Sequence, residues 1–427
     1  MDGFIIFLIL RLKRGKALNS IELLAPAGNL EKLEVAIHYG ADAVYLGGTS
    51  FNLRKRAGNF SLKEMKRAIE YAHKKQVKVY VTVNIFSRNE DLLHISEYLS
   101  ELDEIGADAI IVSDPGIIRV AKECVPKLPL HLSTQANTTN WASAKFWEKQ
   151  GISRINLARE CSLKEIKEIK EKTHSEMEIL VHGSMCISYA GRCLLSSYMT
   201  GRDSNRGDCA QPCRWEYHLV ESKRPGQYFM VDEDERGTYI FNSKDLCMID
   251  YIPEMVDVGI TTFKIEGRMK SIYYLATVIR IYREAINNYI KDPRTYRRNP
   301  QWRDELKKTT HRGFTTGFYI DDSQVKKESQ ELLSFQNYQY VGKVIEVLGK
   351  DTVKIEVKNK LFLEEEVEII GRNMKTFSAK IDTILSEDGI KKEFGQPNEK
   401  IIISVAHPLE KHDLLRKRIS IETGCEA

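Results

Sequence analysis

The segment AVYLGGTSFNLRKRAGNFSLKEMKRAIEYAHKKQVKVYVTVN, residues 43–84, decides the fold. It opens on a short apolar run, AVYLGG (43–48), and closes on another, KVYVTVN (78–84). Between them SLKEMKRAIEYAHKK (61–75) places apolar residues at helical spacing among charges. Strand, helix and strand in that order form one crossover unit, which joins parallel strands with a right-handed turn.

Working outward, the same grammar runs from Ile21 to about Ile290. IELLAPA (21–27), AIIVSD (109–114), PLHLSTQ (129–135), RINLAR (154–159), MEILVHG (177–183) and FKIEG (263–267) bring the strand candidates to eight. Helical patterns such as NEDLLHISEYLSELDEIG (89–106) and SLKEIKEIKEKT (162–173) lie between them. Eight alternating units predict an α/β fold, a closed (β/α)8 TIM-like barrel over 21–292. An open doubly wound sheet is the alternative, and no GxGxxG follows the first strand to support it.

The spacing breaks once. Between Gly183 and Phe263 lie 79 residues, an insertion over 184–262 that follows the seventh strand. Loops after barrel strands rise at the face where barrel enzymes do chemistry. Within the insertion, 227–245 reads as a hairpin turning near Gly237. Helix 270–291 closes the barrel, and the polar stretch 293–334 reads as a linker. From Tyr338 the pattern becomes short alternating strands, which predict a small antiparallel β-barrel over 335–420.

Residues 1–20 read as an extension ahead of the fold. Its apolar run, Phe4 to Leu10, is too short to span a bilayer, and its basic residues follow that run, unlike a signal peptide. The expected compartment is the cytoplasm, with no membrane partner. A net charge of +4 on 427 residues permits contact with nucleic acid without arguing for it. No HExxH, GxSxG or Walker loop is present, so the common hydrolase and nucleotide-binding signatures are excluded.

Five of the eight cysteines fall within 186–247: Cys186, Cys193, Cys209, Cys213 and Cys247. In a reducing compartment disulfides are the poorest reading. Four thiolates suit a cubane iron–sulfur cluster or zinc equally by counting, and redox thiols are the third possibility. Irregular spacing, apolar flanks and a place above the barrel mouth favour iron. With five candidates for four positions, Cys213 is the spare.

Strand alternation supplies a second constellation. The polar parity of each strand faces the lumen. Asn84, Asp114, Gln135, Arg159, His182, Glu266 and Arg268 then collect near the strand C-termini, with Lys264 below. Arg159, Lys264 and Arg268 suit an anionic small molecule; equally, Lys264 and Glu266 could pair with each other. His182 reads as a proton shuttle, a donor to a cluster or a buried structural histidine. In GRDSNRGDCAQPCRWEY (201–217), Arg206 and Trp215 sit among basic and aromatic residues that could hold phosphates and stack bases, or pack against each other.

At HGSMCISYAGRCLLS (182–196) the chain resembles the collagenase-like peptidase family, class U-32. Glu178, His182, Gly183, Ser184, Met185, Cys186, Gly191, Cys193, Leu195 and Ser196 fit its signature, with Leu180 where the signature has Phe. ELLAPAGN, LSTQAN, NRGDCAQPCRW and SKDLC also look like that family. The resemblance implies less a protease than an enzyme of oxygen insertion: relatives hydroxylate the wobble uridine of transfer RNA or a ribosomal RNA cytidine. It implies a [4Fe-4S] cluster on Cys186, Cys193, Cys209 and Cys247. It implies transfer RNA as partner, a paralogous second subunit in some cases, and dependence on prephenate. Prephenate is a dicarboxylate, which would give Arg159, Lys264 or Arg268 a task. His182, Gln135, Glu266 and Lys264 are the catalytic candidates; Asn84, Arg159, Arg268, Arg206 and Trp215 are the substrate-binding ones.

Overall fold

The computed structural model describes residues 21–52, 58–186, 188–215, 218–220, 228–230, 244–320 and 337–419. The N-terminal extension therefore lies outside the described residues, as does most of the expected hairpin at 227–245. Within that hairpin Tyr228–Met230 is a strand, and it pairs with His218–Val220 upstream.

Eight parallel strands close into a barrel. In chain order they begin with β1 (Glu22–Pro26), β2 (Ala43–Gly47), β3 (Lys78–Val83) and β4 (Ala109–Val112). Then come β5 (Leu130–Leu132), β6 (Ile152–Asn156) and β7 (Glu176–Ser184). A short strand, β8 (Asp245–Cys247), precedes the last barrel strand, β9 (Thr262–Ile265). Closure is direct: Phe263 of β9 stands opposite Leu23 of β1 on one side and Ile179 of β7 on the other.

Alternation sorts the side chains. Leu23, Val44, Leu46, Val79, Val81, Ile110 and Val112 point outward and are fully buried under the helices. Leu24, Ala43, Tyr45, Tyr80, Ala109 and Ile111 point inward and form their own cluster, so the lumen is packed and not a pore. The crossover helices start where the sequence supplies caps. Ser61 and Ser162 form capping boxes with Glu64 and Glu165, answering backbone N–H groups that the first helical turn leaves unpaired.

Two regions differ from their sequence reading. The insertion is not wholly an excursion. Its last part returns as β8, antiparallel to β7 with Cys247 opposite His182, and as the helix Ile252–Asp257, which serves as the crossover into β9. The stretch read as a linker holds a helix, Pro300–Lys307, and a short strand, Phe314–Thr315, that pairs with β8. Asn299 caps that helix and Pro300 opens it, a start signal the polar composition obscures. Among the described residues no helix is long and apolar enough to cross a membrane.

Gly183 holds β7 against the chain leaving β9. Its φ is +112°, and a Cβ there would stand 2.5 Å from the Glu266 carbonyl oxygen, which also accepts from Tyr274 Oη at 3.0 Å. Gly183→Ala must move backbone as well as adopt a strained φ. We expect it to cost more than about 2 kcal/mol, read as a lowered urea midpoint; an unchanged midpoint would refute this packing.

The C-terminal unit is a seven-stranded antiparallel sheet. Its order is Thr376–Lys380, Glu366–Ile370, Leu414–Arg418, Tyr338–Val347, Thr352–Val357, Lys400–Ser404 and Thr383–Leu385. It curls around Val341, Val344, Ile355, Ile369, Ile401 and Ile403, all fully buried. Tyr39, at the end of the first barrel helix, donates to the Ile370 carbonyl at 2.7 Å and ties sheet to barrel.

Candidate active site at the barrel mouth

The lumen carries charge beneath the mouth. Lys264 Nζ donates to Glu178 Oε1 at 2.7 Å, and both are buried. The other Glu178 oxygen lies 3.8 Å from Arg154, which pairs at 2.7 Å with Glu176 and also with Glu22. Tyr80 Oη donates to Glu22 at 2.7 Å. His131 stacks edge-on against Tyr80, and burial, with Arg154 and Lys264 nearby, pushes its pKa well below the usual imidazole range. Lys264 also lies 4.7 Å from the centre of the Tyr45 ring, whose hydroxyl reaches Glu266 at 3.3 Å. A chain of contacts thus runs from the floor to the rim. Tyr45, Arg154 and Glu178 were not singled out from sequence as lumen residues. Their signal was parity: Tyr45 alternates with apolar neighbours in AVYLGG as Glu178 does in MEILVHG.

At the rim, β5 ends early. Ser133 caps a turn at Thr134–Ala136, and Asn137 takes a left-handed conformation. This turn holds Gln135 at the mouth, where its Oε1 accepts from Asn84 Nδ2 at 2.6 Å and from Ser133 Oγ at 3.2 Å. Arg268 is buried across the mouth, donating to Asn59 at 2.6 Å and to Asn52 and Thr82 at 3.4 Å. Arg159 is buried beside Cys186, with Nη1 at 3.4 Å from the Ser184 carbonyl. Asn84, Gln135, Arg159, Glu266 and Arg268 therefore share the C-terminal rim, with Lys264 below them.

Two predicted members, His182 and Asp114, do not join that ring, and Arg206 of the insertion is engaged elsewhere. His182 has the lumen parity of Glu178, yet it faces outward. The register slips between β7 and β9, so that Lys264 stands opposite Leu180 but Ile265 opposite His182. This bulge reverses the parity. The ring packs against Tyr274, Tyr282 and Phe314, and burial lowers its pKa to about 3. It is a neutral core histidine at ordinary pH, which answers against the proton-shuttle reading. Asp114 caps the helix Pro115–Cys124, accepting from Ile117 N at 3.0 Å. Arg206 is tied to Asp91 at 2.9 Å and to the Phe86 carbonyl at 3.0 Å, which fastens the insertion to the barrel.

The thiols do not converge. Cys186 is exposed, Cys193, Cys209 and Cys213 are half-buried, and Cys247 is buried. The loop bearing Cys193 and Cys209 is knitted together. The Cys193 carbonyl accepts from Ser204 Oγ at 2.7 Å, and Ser196 Oγ accepts from Ala210 N at 2.9 Å. Cys247 sits on β8 level with His182. Cys186 lies beyond the end of β7, which stops at Ser184. Burial raises the Cys247 thiol to about 12. Among the described residues no three His, Cys, Asp or Glu side chains stand close enough to share a metal ion.

The same loop presents an aromatic face to solvent. Tyr198 is 90% exposed, and Tyr189, Leu194 and Trp215 are also exposed. Tyr189 and Tyr198 escaped the sequence reading because isolated tyrosines carry no spacing signal.

A closed parallel barrel with a polar rim, a loop-borne cover and a docked antiparallel sheet is the architecture of a barrel enzyme with an accessory domain. Residues 28–329 match peptidase family U32, and residues 336–416 match the peptidase family U32 C-terminal domain. The chain belongs to the U32 family. It is 42% identical over 371 residues to tRNA hydroxylation protein P1 of Bacillus subtilis (strain 168), covering 86% of this chain and 87% of that one. It is 37% identical over 399 residues to tRNA hydroxylation protein P of Escherichia coli (strain K12), covering 82% and 86%. A 23S rRNA 5-hydroxycytidine synthase of the same strain is 32% identical over 351 residues, covering 80% of this chain and 51% of that protein.

Proposed function

We propose that this chain is an RNA-hydroxylating enzyme whose substrate is transfer RNA and whose target is the wobble uridine. The observation that carries the reading is the 42% identity to a tRNA hydroxylation protein across nearly the whole of both chains. The geometry supports it. A base must leave its stack to be modified, and the rim offers amides, Tyr45 and two buried guanidinium groups around a packed lumen. The exposed Tyr189, Tyr198 and Trp215 would serve as stacking surfaces for neighbouring bases.

Two finer elements belong to the same proposal. A [4Fe-4S] cluster on Cys186, Cys193, Cys209 and Cys247 rests on the family resemblance, with the softness of thiolate ligands in its favour. Prephenate as co-substrate rests on the resemblance; its carboxylates would suit Arg159 and Arg268. Protein purified without oxygen should absorb broadly near ~400 nm, and Cys186→Ala should abolish that band. Colourless protein with stoichiometric zinc would remove the cluster from the proposal.

The function itself is tested by deleting the gene and measuring transfer-RNA nucleosides by mass spectrometry. Loss of 5-hydroxyuridine derivatives, restored by the intact gene, is the expected result. An unchanged nucleoside profile would end the reading.

A further inference from the structure

One buried group at the rim has half its hydrogen-bonding capacity directed and half unspent. Gln135 is 4% exposed. Its carbonyl end is fixed by Asn84 at 2.6 Å and by Ser133 at 3.2 Å. With Asn84 Nδ2 and Ser133 Oγ donating to Oε1, the carbonyl end of the amide faces them and Nε2 faces away. The other end, Nε2, is buried with no hydrogen-bond partner among the described residues. Buried amide donors are nearly always paired, because an unpaired one forfeits its hydration without return. An orphan held in a set direction at the functional face of a barrel is a donor prepared for something that binds there.

We propose that Gln135 is the specificity-determining residue that reads the target base, donating Nε2–H to a ring carbonyl oxygen of the pyrimidine. The inference rests on the RNA-hydroxylation reading and names the group that recognises its substrate. Asn84 and Ser133 are positioning residues: they hold the amide and do not touch the base. The amide lies under the cysteine-bearing loop. A Cβ on Gly191 would come within 3.3 Å of the Gln135 side chain and of Phe86, so this turn is the cover. The turn is fastened to the rim through Asn137 Nδ2, which donates to the Ala190 carbonyl at 3.2 Å. A base reaching Gln135 displaces that turn, and the new hydrogen bond replaces what the cover excluded.

The test uses full-length protein and a short single-stranded RNA with one uridine among adenosines, followed by fluorescence anisotropy. The same oligonucleotide with the uridine replaced by an abasic site, or by 2- or 4-thiouridine, isolates the carbonyl contact, because sulfur is a weak acceptor. Wild-type protein should prefer uridine over the abasic site and over one of the thio forms. Gln135→Met, similar in length but without a donor, should weaken uridine binding about tenfold and leave abasic binding unchanged. It should also erase the discrimination against the thio form. Ser133→Ala frees the amide without removing it and should reduce the preference by a smaller factor. If Gln135→Met retains the full uridine preference, the inference is wrong while the RNA reading stands. If wild-type protein binds none of the oligonucleotides, the RNA reading falls and the inference with it.

Discussion

Glu305→Ala is expected to undock the C-terminal sheet from the barrel and to cost about 3–5 kcal/mol, the usual loss when one member of a buried ion-pair set is deleted. Glu305 accepts from Arg280 at 2.7 Å and from Arg416 at 3.0 Å, and both guanidinium groups are fully buried. Lys308 adds a contact at 2.5 Å. Burial alone would raise the Glu305 pKa, but Arg416, Lys308 and Arg280 outweigh it and hold the carboxyl below its ordinary range. Arg416 also reaches Glu368 at 2.6 Å, within the sheet, whereas Arg280 comes from the last barrel helix and reaches Thr376 Oγ1 at 3.0 Å. The carboxylate therefore stands between two cations that belong to different domains. Without it both remain buried, Arg280 with only neutral acceptors and Arg416 with one carboxylate. Urea unfolding should show a lower midpoint, and limited proteolysis should cut between barrel and sheet in the variant but not in the parent. A loss below about 1 kcal/mol would mean that the network is incidental to docking, as most exposed pairs are.

The barrel was legible because its signal is repeated eight times and rests on local chemistry. The lumen ring was legible to the extent that parity holds along a strand. Gln135, Asn84 and Lys264 face where alternation puts them. His182 does not, because a bulge depends on how two distant strands pair, and nothing within MEILVHG records it. Asp114 was misread although its sign was present: Asp followed by Pro is a helix start, and the capping role consumes the carboxylate. Arg206 finds Asp91 at a separation of 115 residues, a pairing that no local pattern announces. The thiols show the same limit. Spacing counts ligands but cannot say that β8 turns back beside β7 and carries Cys247 into the core.

Lys264→Met is expected to destabilise the barrel by about 3–5 kcal/mol, because it leaves Glu178 buried without its closest cation. Glu178→Met should cost a similar amount through Lys264. The double variant should recover to within about 2 kcal/mol of the parent, since replacing both charges with well-packed apolar groups is often near neutral. Hydroxylation should not return with it. Lys264 lies against the Tyr45 ring, and Tyr45 reaches Glu266 at the rim, so the pair is the lower end of a connected path into the mouth. Unfolding midpoints and nucleoside analysis of complemented cells separate the two roles in one series. If the double variant regains both stability and hydroxylation, the pair is scaffold, and the working site reduces to the rim. If it regains stability alone, the charge beneath the mouth acts on the substrate, and a stable barrel without it is not enough.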